Sequence, residues 1–312
     1  MTKRVLLLVL TVFPCICIYS YENTYAIIVG VADYENFSRN NGDLRYATND
    51  ATKFYQFLMS REGGSVSKDN ICLLLNKDAS KKNIISKAKN LFSKAKSNDR
   101  VIFYYSGHGW KECFMPYDAT RDGKKVLYFK DVKKIFRYAK CSTKLLFADA
   151  CFAGTMKESI IKKQQKSKKN NKEEVNIAVM MSCKGDETSL EMGSLKQGVF
   201  TYYLIKGLEG EANRDGNKYI TIQELFYYIY QKVKDKTTNG NNKQTPELFG
   251  SFDLRLIVAN VEVQEKQQIS YDKHKYQNRT IIVLIIIAIC VVIMVTVIFL
   301  IRHIKNNKIQ KT

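Results

Sequence analysis

The sequence predicts a three-layer α/β/α fold, in which helices cover both faces of a mostly parallel central sheet. Two observations lead to this fold class. Short apolar segments alternate with amphipathic helical patterns along the chain, and several of the apolar segments are nearly continuous Val, Ile, Leu and Phe. Unbroken apolar strands are expected where a parallel strand is buried on both faces, and strands that alternate with helices are typical of crossover connections.

Six segments are predicted as strands and three as helices. The first helical pattern starts at Leu44 and repeats apolar residues every three or four positions. The second follows Ser80, a suitable N-cap, and the third follows Thr221, which forms a capping box with Glu224. The predicted strands are 25–31, 71–75, 101–105, 145–148, 177–182 and 253–258.

Apolar segments near both ends predict a single-pass membrane protein. Residues 1–20 have a basic start and an apolar run, which indicates a signal peptide, with an uncleaved anchor as the alternative. Residues 281–301 carry no charge over 21 positions, and roughly 20 apolar residues span a bilayer. A polar stalk (259–280) precedes this predicted transmembrane helix. We therefore expect an extracytoplasmic domain (periplasmic, extracellular or lumenal) and a cytoplasmic basic tail at 302–312.

The strong positive charge of the chain does not by itself indicate nucleic-acid binding. The formal net charge is +20, and much of the lysine lies in the C-terminal tail and in the polar run 157–174. Basic and aromatic residues do not interleave as they do in RNA-binding surfaces, and an exported domain seldom meets nucleic acid. The sequence therefore predicts no nucleic-acid partner.

The cysteines leave two alternatives open. Of the eight, Cys15 and Cys17 lie in the predicted signal peptide and Cys290 in the predicted span. An odd number remains, which leaves at least one free thiol within a single chain. A catalytic thiol with up to two disulfides fits this count, and so do five free thiols. The remaining cysteines are Cys72, Cys113, Cys141, Cys151 and Cys183.

His108 and Cys151 occupy matching positions at the ends of two predicted strands. His108 is the one histidine of three that falls inside the predicted domain, and it follows the strand VIFYY between two glycines. Cys151 follows the strand LLFA. Ligands of open α/β sheets bind at the carboxyl ends of the strands, and a nearby imidazole can take the proton of a thiol nucleophile. The pattern predicts a cysteine nucleophile with a histidine base.

The motifs around these two residues resemble the caspase-like cysteine peptidases, especially metacaspases and their bacterial relatives. YYSGHG at 104–109 and ADACFAG at 148–154 carry the resemblance most strongly. It extends over roughly 24–258, through YAIIVGVADY (25–34), LRYATNDA (44–51), QGVFTYYLIKGLEG (197–210), ITIQELFYYI (220–229) and QTPELFG (244–250).

The resemblance implies a caspase-like sandwich and a catalytic Cys–His dyad without a third carboxylate. Cys151 would attack the scissile carbonyl, and His108 would transfer the proton. The backbone N–H groups of Gly109 and Cys151 would form the oxyanion hole. No metal or other cofactor is required for this chemistry.

The resemblance also implies a substrate preference. In metacaspases, the residues matching Asp50, Ser106 and Asp149 line the pocket for P1, the residue before the cleaved bond. Two carboxylates facing a substrate side chain favour Arg or Lys over Asp. The partners expected are therefore proteins or peptides with a basic P1 residue. Three residues near this pocket depart from the metacaspase pattern without altering the dyad: Ala47, Phe152 and Ala153.

The Lys-rich segment 157–174 takes the place of the linker that separates the large and small subunits in the family. It carries lysines that an enzyme with a basic P1 preference could cut in its own chain. A solvated charged loop is the alternative reading. Lysines that could be cut include Lys162, Lys163, Lys166, Lys168, Lys169 and Lys172.

Activation by calcium is expected only from the family resemblance, because many metacaspases are activated by calcium. ANRDGNKYITIQEL offers oxygen ligands, but the segment does not fit the EF-hand register. If Asn213 is position 1 of the calcium loop, Lys218 stands at position 6, where the EF-hand requires glycine. If Gly216 is position 6, Ile222 stands at position 12, where the EF-hand requires glutamate. The segment therefore predicts a turn before a helix and no metal site.

Two other functions compete with this prediction. A legumain-like or transamidase-like enzyme would share the strand-end Cys and His but prefer other P1 residues. A catalytically silent scaffold with the same fold is the second alternative. The SGHG and DACFAG motifs together with QGVFTYYL favour the caspase branch.

Overall fold

The computed structural model describes residues 21–37, 44–151, 177–238 and 243–261, all within one compact unit that ends at Val261. The predicted signal peptide, the segment 157–174, most of the predicted stalk, the predicted span and the basic tail lie outside the described residues. Within these described ranges, no helix is both long and apolar enough to cross a membrane.

A six-stranded sheet forms the centre of the domain. Five of its strands are parallel, and the sixth pairs antiparallel at one edge. Across the sheet the order is β6-β5-β4-β3-β1-β2. In chain order the strands are β1 (Thr24–Gly30), β2 (Ile71–Leu75), β3 (Arg100–Ser106), β4 (Thr143–Asp149), β5 (Ala178–Met181) and β6 (Glu247–Gly250).

Helices cover both faces of this sheet, which confirms the predicted α/β fold with its mostly parallel sheet. Within the described residues, the α-helices are α1 (Ala47–Met59), α2 (Lys81–Phe92), α3 (Phe129–Phe136), α4 (Val199–Lys206) and α5 (Ile222–Thr237). Helices α2 and α3 share a buried apolar cluster on one face, and α1, α4 and α5 share a cluster on the opposite face.

Strand β3 shows why the apolar segments lack an alternating pattern. All seven of its residues are buried. Phe103 belongs to the apolar cluster on the α2–α3 face, and Tyr104 to the cluster on the other face. The ring of Tyr104 stacks on Phe54 of α1 at a centroid distance of 4.5 Å. Successive side chains point to opposite faces, so in a strand covered on both sides the central residues, here 101–105, form an unbroken apolar or aromatic run.

Helix starts follow the predicted caps. The side chain of Ser80 accepts a hydrogen bond from the Asn83 N–H at the start of α2. Thr221 and Glu224 form the predicted capping box, in which each side chain accepts from the other residue's backbone N–H. The first helix, however, starts at Ala47 and not at Leu44, because the preceding residues form bends.

The predicted sixth strand, 253–258, is wrong in place and in sheet. Its first half forms a turn, in which the Asp253 carboxylate accepts from the Arg255 N–H. The strand there is Ile257–Asn260, which pairs with Tyr219–Thr221 outside the central sheet. The sixth strand of the central sheet is β6 instead. It carries few apolar residues because an edge strand has less surface to bury, so it gives a weak sequence signal.

The register between β3 and β4 determines where the site forms. Ser106 at the end of β3 lies directly beside Asp149 at the end of β4. His108 and Cys151 each follow these residues by two positions. Parallel pairing therefore brings the predicted histidine and cysteine to the same edge of the sheet.

Candidate active site

A cavity that is partly open to solvent lies at the carboxyl ends of β3 and β4. Its lining includes all five side chains that were predicted from the sequence. They are Asp50, Ser106, His108, Asp149 and Cys151. Residues from the first helix and from two neighbouring strands therefore meet in one cavity.

His108 is held by contacts to both its backbone and its ring. Its backbone N–H donates to the Tyr34 hydroxyl at 2.6 Å, and the two rings stack at a centroid distance of 5.1 Å. Its carbonyl accepts from the Tyr105 hydroxyl at 2.9 Å and from the Met115 N–H at 3.0 Å. These contacts limit the movement of the imidazole, so it stays directed towards the cavity.

Cys151 lies in a tightly packed turn. The neighbouring residue Ala150 donates its N–H to the Ser182 hydroxyl at 3.0 Å, and that hydroxyl donates back to the Ala150 carbonyl at 3.1 Å. Gly109 packs so close to Cys151 that a Cβ there would clash with the Cys151 carbonyl oxygen. The glycine after His108 is therefore required by this close approach.

Burial disfavours the thiolate form of Cys151. Burial raises its pKa above the ordinary value, and the charges of Asp149 and Glu191 add to that rise, although a hydrogen bond from the Ser189 backbone opposes it. Because the thiolate is the nucleophilic form, this thiol needs a base beside it. His108 lines the same cavity.

Asp50, in the first turn of α1, forms part of the cavity floor and is only 1 % exposed. The Gly198 N–H donates to its carboxylate at 2.9 Å, and the Ser106 hydroxyl donates at 3.1 Å. Burial raises the pKa of Asp50 well above its usual range, and the nearby Asp149 charge raises it further.

Asp149 is the second buried carboxylate and is 6 % exposed. Its Oδ2 accepts from the Thr201 N–H at 3.0 Å and from the Thr201 hydroxyl at 2.7 Å, and its Oδ1 accepts from the Ser189 hydroxyl. Burial again raises the pKa, while these hydrogen bonds lower it.

Both carboxylates lie close to Gly198. A Cβ at Gly198 would clash with Oδ2 of Asp149 and come within 2.9 Å of Oδ2 of Asp50. Among the described residues that line the cavity, none is Lys or Arg. Two buried acids without a basic neighbour in the lining are complementary to a cationic ligand, since removing a carboxylate from water is costly unless a cation pairs with it.

Sequence reasoning missed several residues of this cavity. Leu44, Ser189, Glu191 and Gly198 also line it, and Tyr34 supports His108 from outside the lining. Tyr34 and Gly198 lie within motifs that carried the family resemblance, so that signal was present. Ser189 and Glu191 lie in the unremarked segment DETSLEM, and only the fold brings them to the site.

The described cysteines are all free thiols: Cys72, Cys113, Cys141, Cys151 and Cys183. Burial raises the pKa of Cys113 and of Cys141 to about 11. Of the two alternatives that the sequence left open, the structure shows the one without disulfides within the described ranges.

The oxygen-rich segment before α5 forms a hydrogen-bonded turn. The Asn213 side chain accepts from the Gly216 N–H at 3.1 Å, and the Asp215 carboxylate accepts from the Asn217 N–H at 3.0 Å. Within the described part of the chain, no group of three or more His, Cys, Asp or Glu is placed to hold a metal ion.

The α/β/α sandwich places a histidine and a cysteine at the ends of adjacent parallel strands, as the resemblance to caspase-like cysteine peptidases implies. The chain belongs to the caspase-domain family, whose model matches residues 23–256. Caspase-1 from Spodoptera frugiperda has a similar fold, with a TM-score of 0.54 at 14% identity over 77% of this chain and 91% of that one.

Several curated relatives are named as proteases or metacaspases. A probable protease from a Desulfuromonadales bacterium is 24% identical over 72% of this chain and 31% of its own length. Metacaspase-1 of Plasmodium falciparum is 23% identical over 78% of this chain and 44% of its own. Metacaspase-1 of Meyerozyma guilliermondii is 34% identical over 35% of this chain and 27% of its own length. The chain spans less than half the length of each of these relatives.

Proposed function

We propose that this protein is a cysteine endopeptidase that hydrolyses peptide bonds after Arg or Lys. One observation supports this function best. A single cavity contains His108, Cys151 and the buried carboxylates of Asp50 and Asp149. The first two can supply a nucleophile and a base, and the carboxylates can bind the positive charge of the P1 side chain.

The chemical steps follow from these roles. His108 takes the thiol proton, and the Cys151 sulfur forms a bond to the scissile carbonyl carbon. The backbone N–H groups of Gly109 and Cys151 stabilise the oxyanion. When the tetrahedral intermediate collapses, the C–N bond breaks and His108 gives its proton to the leaving amine. Water then hydrolyses the thioester with His108 as base, which regenerates the thiol.

The proposal includes a membrane anchor. The uncharged segment 281–301 supports it, since its length matches the hydrocarbon thickness of a bilayer. Together with the predicted signal peptide at 1–20, it places the peptidase domain on the extracytoplasmic side and the tail in the cytoplasm. Activation by calcium is also proposed, and it is supported only by the resemblance to metacaspases.

The test is cleavage of fluorogenic peptides by the full-length chain in detergent micelles, with and without calcium. Peptides that differ only at P1 carry Arg, Lys, Asp or Asn. Cleavage after Arg and Lys is expected. Cleavage after Asn with none after Arg or Lys would favour the legumain-like alternative, and no cleavage under any condition would favour the scaffold.

A peptidase with this preference is expected to cut its own Lys-rich segment 157–174. Mass spectrometry of the purified wild-type chain should show two fragments that end and begin within this segment. The Cys151→Ala chain should stay intact, and a chain with all seven lysines of the segment, Lys157 included, changed to Gln should stay intact while still cutting peptides. Identical intact masses for wild type and Cys151→Ala would contradict self-processing.

A further inference from the structure

Glu191 is a third carboxylate in the wall of the cavity, and it was not among the residues predicted from the sequence. Its Oε1 accepts from the Tyr46 N–H at 2.7 Å, and its Oε2 accepts from the Arg45 N–H at 2.9 Å. Both donors lie immediately before α1. One hydrogen bond on each oxygen holds the carboxylate in place and leaves acceptor positions on both oxygens for a ligand.

Glu191 differs from the two carboxylates of the floor in depth. Asp50 and Asp149 are buried, whereas Glu191 is only partly buried. Its backbone pairs with Gly198, the residue that both floor carboxylates approach closely. The cavity therefore has two acidic levels, a buried floor and a more accessible rim.

The charge of Glu191 acts on the rest of the site. Burial is the main cause that raises the pKa of Asp50, of Asp149 and of Cys151, and the negative charge of Glu191 adds to the rise in each case. One cationic P1 side chain can pair with the floor, which leaves the rim carboxylate without a cation among the described lining residues.

We infer that Glu191 selects a second basic side chain in the substrate, one or two residues before P1. The inference rests on the proposed function and extends it from one basic residue to two. Both acidic levels line one cavity, so a second cation close to P1 in the substrate could pair with the rim carboxylate while P1 fills the buried pocket. The charge-assisted hydrogen bond would form with a carboxylate that its backbone donors already orient.

The chain itself contains sequences of this kind. The segment 157–174 includes the pairs Lys162-Lys163 and Lys168-Lys169, and Lys166 lies two residues before Lys168. Each would present a basic P1 residue with a second lysine one or two positions earlier. The proposed self-processing segment therefore carries the pattern that Glu191 would recognise.

The experiment compares peptides with Arg at P1 and either Lys or Ala at each of the two preceding positions. The measured quantity is the ratio of kcat/KM for the Lys peptide to that for the Ala peptide. We expect a ratio of about ten for the wild type, as for one charge-assisted hydrogen bond at a partly exposed site. In Glu191→Gln the ratio should fall towards one.

Two further variants separate recognition from structural damage. Glu187→Gln is the matched control, because Glu187 lies in the same segment and accepts the Thr245 N–H at 2.6 Å but does not line the cavity; it should keep the wild-type ratio. Glu191→Lys should favour Glu over Lys at the selected position, a reversal that misfolding cannot produce.

The outcomes distinguish this inference from the proposed function. If peptides with Arg at P1 are not cut at all, the proposed function fails. If they are cut but the wild-type ratio is one at both positions, or Glu191→Gln keeps the wild-type ratio, the inference about Glu191 fails alone.

Discussion

Cys151→Ala and His108→Ala are each expected to lower kcat/KM for a peptide with Arg at P1 by at least about a thousandfold. Alanine removes the nucleophile in the first variant. In the second, the thiol loses its base while burial still holds its pKa above the ordinary value. The double variant should be little worse than either single one, because the two residues act as a unit.

The controls are a cysteine that does not line the cavity and the histidine of the predicted stalk. Cys72→Ala tests a half-buried thiol on the edge strand β2, and His274→Ala tests a histidine of the predicted stalk. Both should cleave like the wild type. Cleavage that survives in Cys151→Ala, with a melting temperature like that of the wild type, would show that the dyad is not the catalyst.

Asp50→Asn is expected to lower kcat/KM for Arg peptides by about a hundredfold while making the domain more stable at neutral pH. The loss of activity follows from removing one charge-assisted hydrogen bond to the P1 cation. The stability gain follows from the raised pKa of Asp50 in the folded state. Asn keeps the shape of the side chain and removes the buried charge.

The sign of the pH dependence follows from the same raised pKa. Between the unfolded and the folded pKa of Asp50, the folded state holds more protons, so stability falls as pH rises through that window. Binding of a cation needs the ionised carboxylate, so cleavage after Arg should fall as pH drops through the folded pKa. This decline should begin at higher pH than the ordinary aspartate value predicts.

Thermal melts and kcat/KM measured across pH test both halves of this prediction. Asp78→Asn, a change at an exposed aspartate after β2, is the matched control and should alter neither quantity. An Asp50→Asn variant that melts below the wild type at neutral pH would contradict the stability argument. One that cleaves Arg peptides as the wild type does would contradict the pocket.

Local sequence patterns predicted much of the fold. The nearly continuous apolar segments of β1 to β5 and the caps at Ser80 and Thr221 are local signals, and the structure shows each of these elements. Strand β6 was missed because its short edge segment buries little surface. The turn at Asp253 was missed because it depends on a side-chain hydrogen bond. Such a bond does not alter the apolar pattern of 253–258 from which the strand was predicted.

The sequence by itself determined that His108 and Cys151 follow two strands of a parallel sheet, because apolar runs and flanking glycines are encoded locally. Only the tertiary structure decided that Glu191 and Gly198 surround the same cavity as Asp50. These residues are separated by up to about 150 positions along the chain, and only packing of the helices on the sheet brings them together. The raised pKa values likewise come from burial, which exists only in the folded domain.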